Sequence, residues 1–354
     1  MSKFFSEKYS NLTPYTPGEQ PQDKKYIKLN TNESPFPPSP IAQRMAREEA
    51  GTLQLYSDPE VKLLVRDFAA YYGISEDEVV FSNGSDDVLN FACMAFCDEE
   101  HPLVFPVVTY GFYCVFAELN HVPYEEILMN DDFTINVSDY IGIGKNIFIA
   151  NPNAQTGITL PLSDIEKIVS SNPDNIVMVD EAYVDFGGES AIGLIKKYNN
   201  FIVVGTFSKS RSLAGARIGF AIADRELIRD MNTIRYSTNP YNINRMTMQA
   251  ARGALADDEY FKENCEKIKA IRAYTVCELK KLGFTVTDSK ANFILAKSDR
   301  VGGKDLYLTL KERGILVRHF ETDRLRDYNR ITIGSMEQME TLIKVTKEIL
   351  GERS

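Results

Sequence analysis

Apolar residues recur at helical spacing over residues 61–72, where Val61, Leu64, Val65, Phe68, Ala69 and Tyr72 share one face. Elsewhere the pattern changes. The runs 146–150, 175–179 and 201–204 are short, continuous and rich in apolar residues, as strands buried on both faces must be. Between them, 163–170 and 190–197 read as helices, the first opened by a capping box from Ser163 to Glu166. Strand, helix, strand, helix, strand predicts a doubly wound, mostly parallel sheet with right-handed crossovers. Further strands are expected at 79–81, 103–105 and 216–222, with a helix at 225–234. Residues 242–282 read as long helical stretches broken around 256–258, carrying the chain out of the sheet. The remainder, 283–354, reads as a smaller α/β unit with strands at 284–287, 293–296, 315–317 and 330–333 and helices at 303–313 and 336–350. Residues 1–40 are polar and proline-rich, with four prolines between Pro35 and Pro40. They predict an extended arm with one short strand at 26–29. The expected division is therefore an arm at 1–40 associated with the smaller unit, a large domain at 41–250 and a small domain at 251–354.

The chain of 354 residues is long enough for two domains. Its formal net charge of −10 argues against broad nucleic-acid binding, which needs a basic surface. Five cysteines with no C-x-x-C pair read as free thiols, and the three histidines do not cluster as a metal site. The N-terminal residues lack the apolar core of a signal peptide, and no apolar run approaches membrane-spanning length. A reduced, cytoplasmic, soluble protein is expected.

In a doubly wound sheet, ligands lie beyond the carboxyl ends of the strands. Three polar motifs fall there: N-P-N-A-Q-T-G after 146–150, D-E-A-Y after 175–179, and T-F-S-K-S-R after 201–204. Lys209 carries an amine able to form a Schiff base with an aldehyde. Thr206 and Ser208 beside it, and Arg217 eight positions on, suit a phosphate. S-K-S-R alone also fits a solvated basic loop. Gly84 and Ser85 form a glycine turn at a helix start, which offers amides to a phosphate but also fits an ordinary capped helix. Asp180 follows four apolar strand residues, where a carboxylate needs a partner. It either caps the next segment or holds a pyridine nitrogen protonated, which makes the ring an electron sink. Tyr183 can reach a ring oxygen, and Tyr110 offers a face for stacking. Lysine, hydroxyls and arginine together point to pyridoxal 5′-phosphate.

This set resembles the fold type I pyridoxal-phosphate-dependent aminotransferases, and within them the histidinol-phosphate aminotransferases. The likeness runs through N-L-T-P-Y, L-N-T-N-E-S-P-F-P-P-S-P, Y-S-D-P-E, S-N-G-S-D-D, T-Y-G-F-Y, N-P-N-A-Q-T-G, V-D-E-A-Y, T-F-S-K, A-G-A-R-I-G-F, A-N-F-I-L, G-I-L-V-R and R-I-T-I-G. It implies an aspartate-aminotransferase-like α/β fold and a transaminase moving an amino group between L-histidinol phosphate and 2-oxoglutarate. It further implies that Lys209 is the Schiff-base lysine and proton shuttle, and that Asp180, Tyr183 and Tyr110 meet the pyridine nitrogen, ring oxygen and ring face. Gly84, Ser85, Asp86 (through its backbone), Thr206, Ser208 and Arg217 would line the phosphate site. Tyr56 would reach the cofactor of a neighbouring subunit, so a homodimer with shared active sites is implied. Arg330 and Arg318 match arginines that meet the substrate's anionic end, with Tyr15 and Asn32 of the arm also at the substrate.

One departure stands out. The family's cofactor-contacting asparagine directly precedes Pro-Thr-Gly, whereas Ala154 and Gln155 stand before Thr156-Gly157 here. Asn153, one position earlier, is expected to supply the amide instead; otherwise Tyr183 acts alone. A related aromatic amino acid aminotransferase or a threonine-phosphate decarboxylase would share most of these motifs. A pyridoxal-phosphate-binding regulatory or structural protein without turnover would share them too, but no helix-turn-helix segment precedes the fold and the net charge is negative. A nicotinamide enzyme is disfavoured because no G-x-G-x-x-G follows a strand.

Overall fold

The computed structural model describes residues 2–10 and 12–351, so Asn11 of the N-L-T-P-Y motif lies outside the described residues. Strand β1 (Ile27–Lys28) belongs to the arm. The large unit contributes β2 (Val79–Ser82), β3 (Leu103–Pro106), β4 (Tyr124–Ile127), β5 (Asn146–Ala150), β6 (Val177–Asp180), β7 (Phe201–Thr206) and β8 (Gly219–Ala223). These seven form one sheet in the order β2-β8-β7-β6-β5-β3-β4. β4, β3, β5, β6 and β7 run parallel, and β8 lies antiparallel to both its neighbours. Every residue of β5, β6 and β7 is buried, which is why these runs carry no polar alternation. One core packs Phe68, Ile149, Val179 and Val203 on one face; a second packs Leu89, Tyr113, Phe148 and Ile202 on the other.

The chain leaves through helices Arg245–Ala256 and Asp258–Lys281, separated by Asp257. The smaller unit adds β9 (Phe284–Val286), β10 (Phe293–Ser298), β11 (Ile315–Leu316), β12 (Arg318–His319) and β13 (Tyr328–Thr332). Four of these form an antiparallel sheet in the order β12-β13-β10-β9, while β11 pairs in parallel with β1. The arm thus docks on the smaller unit, and Leu29 enters its core beside Ile294 and Ile333.

Several expectations shift locally. The 163–170 helix is observed as Leu162–Ser171, entered from Pro161 with no side-chain cap, so the Ser163–Glu166 box does not form. Residues 190–197 hold only a 3-10 turn, Ile192–Lys196. The strand expected at 216–222 begins at Gly219, because Ala214–Ala216 turn as a 3-10 helix and Arg217 adopts a left-handed φ of 54°. Of the run 315–317 only Ile315–Leu316 form β11, and β12 begins beyond it at Arg318. Among the described residues no helix is long and apolar enough to cross a membrane.

Candidate active site

The carboxyl ends of β6 and β7, the start of helix Ser85–Phe96 and the arm enclose a cavity of about 380 Å³. Ser85, Asp86, Tyr110, Asp180, Tyr183, Thr206, Ser208, Lys209 and Arg217 all line it. The parallel sheet brings these residues together across 132 positions of sequence, from Ser85 to Arg217.

Asp180 closes β6 and is 5% exposed. Burial pushes its carboxyl up to about 6, against the pull of two donors. The Ala182 amide donates to Oδ1 at 3.0 Å, and the Tyr113 hydroxyl donates to Oδ2 at 3.3 Å. Tyr113 itself is fully buried, on helix Phe112–Leu119. Lys209 Nζ donates to the Thr31 carbonyl at 3.3 Å and sits 5.8 Å from the Tyr183 ring centre. The arm therefore supplies the amine's resting partner.

In the same cavity, helix Ser85–Phe96 starts with no side-chain N-cap. Its first-turn amides are open to an anion. Gly84 precedes it at φ 91°, a conformation that calls for glycine, and a Cβ there would also push on Arg217 Nη2. The Thr206 hydroxyl donates to Ser208 Oγ at 2.9 Å and accepts from the Ser208 amide at 3.0 Å. Arg217 Nη2 pairs with Asp86 Oδ2 at 2.8 Å, and Tyr110 donates its hydroxyl to Asp86 Oδ1 at 2.6 Å. The Asp86 side chain thus bridges the guanidinium and the phenol, in addition to the backbone role expected of it.

The Asn32 side-chain amide donates to the Tyr183 hydroxyl at 3.0 Å. Asn32 is buried, at φ 56°, and held by Thr332 and Asn292. It is placed behind Tyr183 rather than in the cavity wall, where Thr31 and Glu33 stand instead. Asn153 is also placed elsewhere. Its Nδ2 donates to the Val108 carbonyl at 2.7 Å, and its Oδ1 accepts from the Gln155 and Thr156 amides. Its side chain is consumed in shaping the loop, so the expectation that it substitutes for the family's asparagine fails; Ala154 lines the cavity at that wall.

Arg330 donates from Nη1 to Ala154 O at 2.9 Å and to Gln155 Oε1 at 3.0 Å. Arg318 donates to the carbonyls of Thr16 and Pro17 at 3.1 and 3.2 Å, fastening the arm. Tyr15 stacks on Phe112 at 4.1 Å between ring centres. Tyr56 is 81% exposed, stacks on Tyr241, and does not line the cavity of its own chain. Sequence reasoning missed Tyr113, Thr31 and Gln155. Tyr113 sits in a largely apolar helical run, where a tyrosine gives no local signal that separates it from a packed aromatic.

The donor set fits pyridoxal 5′-phosphate. A buried carboxylate, a primary amine, an uncapped helix start and a guanidinium line one cavity.

The chain is 47% identical over 352 residues to the histidinol-phosphate aminotransferase of Brachyspira hyodysenteriae, covering 99% of both. It is 44% identical to that of Clostridium acetobutylicum, covering 99% of this chain and all of the relative. The crystal structure of the Sinorhizobium meliloti histidinol-phosphate aminotransferase in complex with pyridoxal-5′-phosphate superposes with a TM-score of 0.91, over 99% of this chain and 98% of that one. At 23% identity, that match speaks for the fold. The family model for aminotransferase class I and II matches residues 24–345, and the chain belongs to that family.

Proposed function

We propose that this protein transfers an amino group between L-histidinol phosphate and 2-oxoglutarate, using pyridoxal 5′-phosphate. One observation carries the reading: Lys209 and the buried Asp180 stand at adjacent strand ends within one cavity. The full-length relatives at 44–47% identity favour this substrate over an aromatic amino acid or phosphothreonine. When bound, the cofactor supplies an electron sink for the carbanion formed at the substrate's α-carbon.

The protein's residues supply the rest. Asp180, ionised, holds the pyridine nitrogen protonated. Tyr113 and the Ala182 amide keep that carboxylate in place. Tyr183 donates to the ring oxygen, its own oxygen occupied by the Asn32 amide. Tyr110 covers the ring face. Gly84, Ser85, Asp86, Thr206, Ser208 and Arg217 hold the phosphate. Lys209 would hold the aldehyde through its amine; once displaced by the incoming substrate amine, its Nζ would be the base that takes the substrate's α-proton and carries it through the 1,3-shift. Arg330 and Arg318 meet the anionic end of each substrate, carboxylate or phosphate, and Tyr15 covers the imidazole.

The active unit is a homodimer. Leu53, Leu55, Tyr56 and Tyr241 form an exposed apolar surface, 53%, 57%, 81% and 45% accessible, which a second copy would cover while Tyr56 enters its phosphate site. The same reading divides the chain into an arm at 1–40 shared with the small domain, a cofactor-binding domain at 41–250 and a small domain at 251–354.

Borohydride reduction of the cofactor-loaded protein, followed by peptide mapping, tests the centre of this proposal. Label is expected on Lys209; label on a different lysine, or none, overturns it. Steady-state rates on histidinol phosphate, phenylalanine and phosphothreonine test the substrate, with histidinol phosphate expected to have the highest kcat/KM.

A further inference from the structure

Gln155 joins three segments that are remote in sequence. Its Nε2 donates to the Thr109 carbonyl at 3.1 Å, next to Tyr110. Its Oε1 accepts from Arg330 Nη1 at 3.0 Å. The same Nη1 donates to the Ala154 carbonyl at 2.9 Å. Both hydrogens of Nη1 are therefore spent on one dipeptide.

The rest of the guanidinium is different. Among the described residues, Nη2 reaches only the Asn30 carbonyl, at 3.4 Å, and Nε is buried with no partner. Phe293 and Phe320 lie 5.2 and 5.6 Å from the cation and fix the plane without taking a hydrogen. Nε and Nη2 present two parallel N–H groups, the fork that matches a carboxylate or phosphate. Ala154 and Thr31, neighbours of the groups that hold Arg330, are both in the cavity wall.

We propose that Gln155 is the positioning residue of substrate-anion recognition: by engaging Nη1, it turns Arg330 so that the Nε–Nη2 edge is the one offered to the substrate. This rests on the reading of Arg330 as the anion-binding arginine. It also gives Gln155 a task distinct from tying the two units together. A mere tie would stabilise the fold and leave anion affinity alone. A positioning residue changes anion affinity and acts only through Arg330.

The test is binding of glutarate, a dicarboxylate with neither amine nor ketone, to the cofactor-loaded enzyme by isothermal titration calorimetry. Gln155→Leu removes both amide bonds. Its glutarate Kd is expected to rise about tenfold or more, the scale of one charge-assisted hydrogen bond. KM for 2-oxoglutarate should rise with it, and kcat should stay within about threefold. In an Arg330→Ala background the same substitution should add nothing, because the partner it positions is gone. Wild-type glutarate affinity in Gln155→Leu, or an equal further loss on top of Arg330→Ala, overturns the proposal. If Arg330→Ala alone binds glutarate like the wild type, the anion-binding reading itself falls, a separable result. Should Gln155→Leu not fold, Gln155→Met decides: its unbranched side chain fills a similar length and makes neither amide bond, so the glutarate Kd should rise by the same factor of about ten. Wild-type glutarate affinity in that variant likewise refutes the positioning role.

Discussion

Tyr113→Phe removes one atom from the protein and should move the titration of Asp180. The Tyr113 side chain is fully buried, and Asp180 is its hydrogen-bond partner. Burial lifts the Asp180 carboxyl to about 6, with the Ala182 amide and the Tyr113 hydroxyl holding it down from a higher value. A hydrogen bond to a charged group contributes about 1.5–3 kcal/mol, and a separation of 3.3 Å places this one at the low end. One pKa unit corresponds to about 1.4 kcal/mol, so the variant's carboxyl should titrate roughly one unit higher, near 7. Only the ionised carboxylate pairs with a protonated pyridine. Cofactor affinity should therefore weaken as pH falls through this pKa, with the acid limb displaced upward by about one unit in the variant. The assay is equilibrium dialysis of pyridoxal 5′-phosphate from about pH 5 to about pH 8.5, a window that brackets both pKa values. The phosphate's own ionisation near pH 6 is common to both proteins and cancels in the comparison. Coincident acid limbs in a folded variant would refute the argument that Tyr113 holds the carboxylate in its charged form.

Three further outcomes follow from the same geometry. Glu181 is buried, accepting from the Ser190 hydroxyl and Ala191 amide, and burial pushes its carboxyl up to about 8. A folded pKa above the unfolded one makes the unfolded state the better acid, so stability falls as pH rises between the two values; Glu181→Gln should lose on the order of 3 kcal/mol less between about pH 5 and pH 8, read from urea midpoints. Arg217→Ala should raise the cofactor Kd about 10–100-fold by dialysis, since it deletes the guanidinium and leaves the Asp86 carboxylate facing the phosphate. Mixing Lys209→Ala and Tyr56→Ala dimers should restore activity that neither has alone, because the mixed dimer holds one complete site; no recovery after verified subunit exchange would remove Tyr56 from the partner's site.

What the sequence made legible was the chemistry pinned to strand ends. That Asp180 and Lys209 would converge on one cavity was readable because a buried parallel strand announces its own carboxyl end, where polar residues have a reason to be polar; Arg217 joins them from the loop before β8. Tyr113 was not readable, because on an apolar helix a tyrosine and a phenylalanine pack alike, and only the hydroxyl's direction separates them. Asn153 misled for a local reason. An asparagine followed by a tight turn bonds its own backbone two and three residues on, and that demand takes precedence over a distant ligand. Gln155 and Asn32 belong to a third kind: their targets, Arg330 and Tyr183, lie 175 and 151 positions away, and nothing in local pattern specifies such pairings.

Those long separations bear on how the site forms. Asn32 is held at a left-handed φ of 56°, a conformation with a cost for a residue other than glycine, and four hydrogen bonds to Tyr183, Thr332 and Asn292 keep it there. Thr332 lies 300 positions from Asn32, and Arg318 holds the arm's Thr16 carbonyl from 302 positions away. The neighbour of Asn32, Thr31, is the residue that receives the Lys209 amine. The large sheet can place Lys209, Asp180 and Arg217 by itself, since all three ride on strands it contains or on the loops between them. It cannot present Tyr183 with its oxygen engaged, or Lys209 with its resting partner, until the arm has docked along β11 and the last strand has closed beside β10. The residues that one subunit offers to a phosphate and a pyridine in the proposed site therefore depend on the large sheet alone, whereas the engagement of Tyr183 and Lys209 depends on both ends of the chain having met.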